Sequence, residues 1–191
     1  LAADAAGLTM ERCVVANNSS GAWAGGVTVG GNQGTSTITN CTIVGNSGAA
    51  SGVEVFNGAT LVIQNSILWD NTPINFDDQY GNGFAYYSDI GGGYDGEGNI
   101  DADPLFTNEN CGDYTLTQDS PCKDAGTADL DGDGVDDITD YNGSAPDMGA
   151  FESTIAAPTG FTLYPSSTYV ILTWDPATED GFQYYLLERS T

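Results

Sequence analysis

An all-β fold of stacked coils is what the first ninety residues predict, and three observations carry that reading. The segment repeats: L-T-M-E-R-C-V-V-A-N-N (8–18), S-T-I-T-N-C-T-I-V-G-N (36–46) and L-V-I-Q-N-S-I-L-W-D-N (61–71) align at intervals of 28 and then 25 residues. Within each unit apolar residues alternate over short runs, as at Val27/Val29, Val53/Val55 and Ile38/Cys41/Ile43, cut by Gly and Asn turns. No stretch has the period of an amphipathic helix, so a strand-plus-helix repeat is ruled out. A unit of this length built only of strands buries its apolar face by stacking on its neighbours, which describes a parallel β-helix.

The elements follow in order. Cys13, Cys41 and Ser66 occupy one position of the repeat, Val15, Ile43 and Leu68 a second, and Asn18, Asn46 and Asn71 a third. Three positions repeating together favour side-chain ladders, although Asn is also a common turn residue. From Phe84 the repeat degrades. Residues 86–90 still read as a strand, and a Gly/Asp-rich connection follows at 91–106. The coils are therefore assigned to 1–106. The end of a β-helix is a sheet edge and must be covered, and the irregular segment 107–153 is assigned as that cap.

Within the cap lies D-L-D-G-D-G-V-D-D-I-T-D at 129–140. Asp129, Asp131 and Asp133 fall at calcium-loop positions one, three and five, and Gly134 at six. Val135 offers its carbonyl at seven, and Asp137 and Asp140 stand at nine and twelve. Carboxylate oxygens at this spacing wrap a hard cation, so Ca2+ is the expected cofactor. Asp140 replaces the usual bidentate Glu with a shorter arm. The bland alternative is an acidic solvated turn.

Charge limits the function. The 191 residues carry 27 acidic and 3 basic side chains and no histidine, for a net charge of −24. Only Arg12, Lys123 and Arg189 could meet phosphates, which argues against nucleic acid, and the same charge disfavours an anionic membrane surface. No apolar run is long enough to span a bilayer. Most catalytic bases are missing, and a Ser-His-Asp arrangement cannot form without histidine. Carboxylates remain for acid–base work, and Asp77/Asp78 is one adjacent pair, but F-D-D-Q-Y reads better as a solvated turn. The start at Leu1 and the stop at Thr191 suggest a piece of a longer chain.

Several segments together carry a resemblance: N-S-I-L-W-D-N, G-N-I-D-A-D-P-L-F, D-Y-T-L-T-Q-D-S-P-C-K-D-A-G and D-M-G-A-F-E. In this order, over roughly 8–153, they resemble the C-terminal end of secreted bacterial right-handed parallel β-helix surface proteins. The resemblance implies a right-handed coil and an extracellular, cell-surface location. It implies no uniform activity, and no catalytic residue carries over. Beyond 153, P-T-G-F-T-L-Y-P, V-I-L-T-W and Y-Y-L-L-E-R-S resemble the first strands of an Ig-like, fibronectin type III sandwich. This partial module is assigned to 157–191, with Trp174 as its core tryptophan.

Secretion makes a disulfide between Cys111 and Cys122 the expectation, closing the D-Y-T-L loop and stabilising it by about 2–4 kcal/mol; the alternative is two buried thiols. Cys13 and Cys41 stack on neighbouring coils and read as reduced core cysteines. Trp23, in A-W-A-G-G, is the best surface aromatic for stacking on a sugar ring, whereas Trp69 reads as packed near a coil corner. The sequence thus predicts a non-catalytic secreted surface protein with structural calcium, for adhesion, display or spacing. Its partners are cell-surface or secretion machinery, or a neutral glycan or protein. Two other readings stand beside it: an accessory polysaccharide-binding or -degrading protein whose active coils lie upstream, and an extracellular fibre subunit or secretion-system cargo.

Overall fold

The computed structural model describes residues 1–4, 7–31, 34–153, 162–165 and 170–173. Twelve short strands make four rungs of three. The first rung is β1 (Ala2–Asp4), β2 (Thr9–Glu11) and β3 (Val14–Ala16). The second is β4 (Val27–Gly30), β5 (Thr35–Thr39) and β6 (Thr42–Val44). The third is β7 (Val53–Val55), β8 (Thr60–Gln64) and β9 (Ile67–Trp69), and the fourth β10 (Phe76–Asp77), β11 (Asn82–Tyr86) and β12 (Asp89–Ile90). Every strand pairs in parallel with its counterpart one coil away, which gives three four-stranded sheets: β1-β4-β7-β10, β2-β5-β8-β11 and β3-β6-β9-β12. No α-helix occurs among the described residues.

The register is the one the repeat predicts. Val15 pairs with Ile43 and Ile43 with Leu68, and Ile90 extends the row to the fourth rung. Met10, Ile38, Ile63 and Ala85 stack likewise on the second sheet. With Val27, Val29, Val53 and Val55 from the first sheet they fill one continuous core between the three sheets. Ile38, Ile43, Val53, Leu61, Ile63 and Leu68 have no exposed surface. The outer faces alternate with this core, because strand side chains point to opposite faces in turn.

Two polar ladders run along the corners. Asn46 accepts hydrogen bonds on Oδ1 from the backbone N–H and the Nδ2 of Asn18, both at 3.0 Å. Asn71 receives the same pair from Asn46, at 2.9 Å each. Asn75 closes the row by accepting from Asn71, and its own Nδ2 donates to the Gly91 carbonyl. The Cys/Ser position forms the second ladder. Cys41, Ser66 and Ser88 each donate to the carbonyl two residues before, at 3.2, 2.8 and 2.9 Å. Ser66 Oγ accepts the Cys41 N–H, and Ser88 Oγ the Ser66 N–H. The residue before Cys13, Cys41, Ser66 and Ser88, respectively Arg12, Asn40, Asn65 and Tyr87, has φ of +48°. Asn favours that conformation. Arg12 and Tyr87 adopt it at the same corner, with their N–H groups donating to the Thr39 and Glu97 carbonyls.

The fourth rung is closed by the connection after β12, not by 107–153. Tyr94 lies on Phe76 with ring centroids 4.9 Å apart, and its hydroxyl donates to Asp78 Oδ2 and the Gly83 carbonyl. Asn99 donates to the Ala85 carbonyl, one of the last free acceptors at that edge. The assigned cap instead runs back along the helix as a flank over the third sheet. It opens with an antiparallel hairpin, β13 (Phe106–Asn108) and β14 (Asp113–Leu116), around a 3₁₀ turn at Glu109–Cys111. Tyr114, edge-on to Phe106, accepts from Asn17 of the first coil. Further on, Asn65 exchanges two bonds with Thr127, Asn40 donates to the Asp147 carbonyl, and Thr42 Oγ1 accepts the Ala150 N–H. A second apolar cluster forms beneath, where Ile67, Cys122 and Met148 meet with no exposed surface.

The fibronectin-like assignment, including Trp174 and the strand after it, lies outside the described residues. Within 157–191 one antiparallel hairpin is described, β15 (Thr162–Pro165) with β16 (Val170–Thr173).

Candidate functional site

The loop at 129–137 curls on its own carboxylates. Gly132 and Gly134 have φ of +76° and +87°, values that glycine reaches without strain. Their N–H groups point back to Asp129, to Oδ1 at 2.7 Å and Oδ2 at 2.8 Å. Asp131 accepts the Asp133 N–H, Asp133 accepts the Val135 N–H, and Asp137 accepts the Leu130 N–H. The result brings carboxylate oxygens of Asp129, Asp131 and Asp137 within 4.8 Å of one another. That span is about twice a calcium–oxygen distance, so a hard cation fits between them. The loop is docked on the second sheet, where Gln64 Nε2 donates to the Leu130 carbonyl at 2.6 Å. Between loop and sheet runs a groove of about 560 Å3, lined among others by Glu11, Thr39, Asp131 and Asp137.

Of the five expected carboxylates, Asp133 and Asp140 do not join this set. Asp133 is exposed and spends one carboxylate oxygen on the Val135 N–H. Asp140 is the clearer correction. Its carboxylate forms a two-pronged ion pair with Arg12, at 2.8 and 2.6 Å. The bond from Arg12 holds the Asp140 carboxyl below its usual range and the Arg12 guanidinium above its own.

The expected Cys111–Cys122 disulfide is not formed, and all four cysteines are free. Cys111 closes the exposed 3₁₀ turn, while Cys122 is fully buried with its Sγ donating to Asp89 Oδ2 at 3.1 Å. Packing against Ile67 and Met148 buries Cys122, while its expected partner stays exposed. Burial first, and the neighbouring Asp89 second, push its thiol far above the ordinary range. Cys13 and Cys41 are both free, but only Cys41 lies in the core where both were expected. Cys41 is pushed up to about 11 by burial, and Cys13 is exposed.

Trp23 is 52% exposed and stacks on Phe56 at 5.2 Å, which holds a flat ring outward. Trp69 packs partly buried against the second cluster. Asp77 and Asp78 part company: Asp77 accepts the Gln79 N–H in a local turn, and Asp78 accepts the Tyr94 hydroxyl. What sequence reading missed are carboxylates under the flank. Asp89 and Asp147 have no exposed surface, and burial raises Asp89 to about 6 and Glu152 to about 7. One signal was available. I-V in β6 and I-L-W at β9 are apolar at successive positions, the mark of a strand covered on both faces.

Residues 1–92 match the model of a family described as right handed beta helix region. No curated protein and no solved structure matches the chain. Over these residues the stacked rungs and the family match together define a right-handed parallel β-helix repeat. That fold hosts enzymes and non-enzymes alike, so activity has to be argued from the site.

Proposed function

We propose that the chain is a non-catalytic, secreted cell-surface protein in which the flank carries a structural Ca2+, and that it serves adhesion, display or spacing. The observation that supports this reading most is the convergence of Asp129, Asp131 and Asp137 in a loop bound to the second sheet. A cation there would relieve repulsion among three carboxylates and stiffen the flank against the coils. The composition supports the absence of catalysis, with three basic residues and no histidine. The carboxylate pair best placed by sequence, Asp77 and Asp78, is spent on a turn and on Tyr94. No helix of the described residues is long and apolar enough to cross a membrane.

Calorimetric titration tests the metal. Calcium uptake should be lost in the Asp129→Asn/Asp131→Asn variant, and a chelator should lower the melting temperature of the parent only. Absence of both effects removes calcium from the proposal. Incubation with neutral and uronate polysaccharides, calcium present, tests catalysis: release of reducing or unsaturated ends overturns the non-catalytic reading. The exposed Trp23 ring favours a second reading, in which the surface holds a neutral glycan. Trp23→Ala should then abolish retention on that glycan without changing the fold.

A further inference from the structure

The flank meets the third sheet over one row of outward side chains, Thr42, Ile67 and Asp89, in register on successive rungs. Thr42 accepts the Ala150 N–H, and Ile67 packs on Cys122 and Met148. Asp89 ends the row. Its Oδ1 accepts the Ala102 N–H at 3.1 Å, and its Oδ2 faces the Cys122 thiol at 3.1 Å. An ionised carboxylate has about four acceptor sites. Here two are used, one of them by a weak S–H donor. The charged groups acting on Asp89 are Asp101 and Asp103 on the closing connection, and Asp147 stands beyond the thiol. Each repels a second negative charge. The Cys122 backbone is itself tied into the flank, because its carbonyl accepts the Met148 N–H.

We propose that Asp89 is a proton-operated latch: the flank closes on the third sheet when Asp89 is neutral and loosens when it ionises. Sequence and ladder explain why the effect is local. Asp89 lies on the outer face, so its charge opposes the flank and leaves the inner core untouched. Burial raises its pKa from 3.8 to about 6. A folded pKa above the unfolded one gives stability that is present at low pH and lost as pH rises through the folded value. For these two values the opening constant of the flank should rise about tenfold between about pH 5 and about pH 7.5.

Hydrogen exchange on the full chain, with calcium constant and rates corrected for the intrinsic pH dependence, reads this directly. Amides of Met148 and Gly149 should show the tenfold rise, while those of β5 and β8 stay unchanged. Asp89→Asn should flatten the response of the flank amides. An unchanged response in Asp89→Asn, no rise in the parent, or an equal rise in β5 and β8 would overturn the latch. A second measurement covers a variant that does not fold. In the parent, the aspartate carboxyl carbon of residue 89 should titrate by NMR near pH 6, and a midpoint close to the ordinary aspartate value sinks the proposal.

Discussion

Asn46 offers the sharpest test of how the coils are held together. It has no exposed surface and connects three rungs. Its Nδ2 donates to the carbonyls of Val15 at 2.8 Å and Val44 at 3.2 Å and to Asn71 Oδ1 at 2.9 Å, while its Oδ1 accepts twice from Asn18. Asn46→Ala removes all five side-chain bonds. The Asn18 groups are near the surface and regain water, so they cost little. The two Nδ2 hydrogens are shared among three acceptors that are buried or partly so, and each hydrogen contributes about 1 kcal/mol net. Asn71 Oδ1 keeps the Asn46 backbone N–H, which prevents a fully orphaned acceptor. The expected loss is therefore about 2 kcal/mol. Urea denaturation followed by far-ultraviolet circular dichroism measures it, with an unchanged m-value showing that the same surface is exposed. Asn18→Ala, at the exposed end of the same ladder, should cost well under half as much. Equal losses at both positions, or a loss below about 1 kcal/mol at Asn46, would show that turn preference and not stacking places these asparagines.

Ile43→Ala should destabilise by about 2–5 kcal/mol, because Ile43 is fully buried between Val15 and Leu68; denaturant melts check this. Glu152, raised to about 7 by burial first and Asp147 second, contributes stability at low pH that fades as pH rises through that value. Glu152→Gln should accordingly gain on the parent in melting temperature at pH 8 and lose that advantage at pH 5. Thiol titration of the native protein should count Cys13 and Cys111, with Cys41 and Cys122 appearing only on unfolding; recovery of two thiols instead of four after unfolding without reductant would mean that a bridge exists.

The coils were legible because their information is local and periodic. The spacing from Val15 to Ile43 to Leu68 sets the register by itself, since a slip of one residue would turn each apolar side chain outward. The same repetition disclosed the Asn and Cys/Ser ladders, and turn chemistry placed Gly132 and Gly134 in the loop around Asp129. The flank carries no repeat, so its course could not be read. Its contacts are fixed by single long-range matches, Arg12 with Asp140 or Cys122 with Asp89, and each depends on what the finished outer face of the coils leaves open. The sequence alone thus determined how the chain stacks upon itself. Only the tertiary structure decided where the non-repeating segment lies, which carboxylates it buries and which it gathers in the exposed loop, because burial of a charge is a property of the assembled surfaces and not of any local pattern.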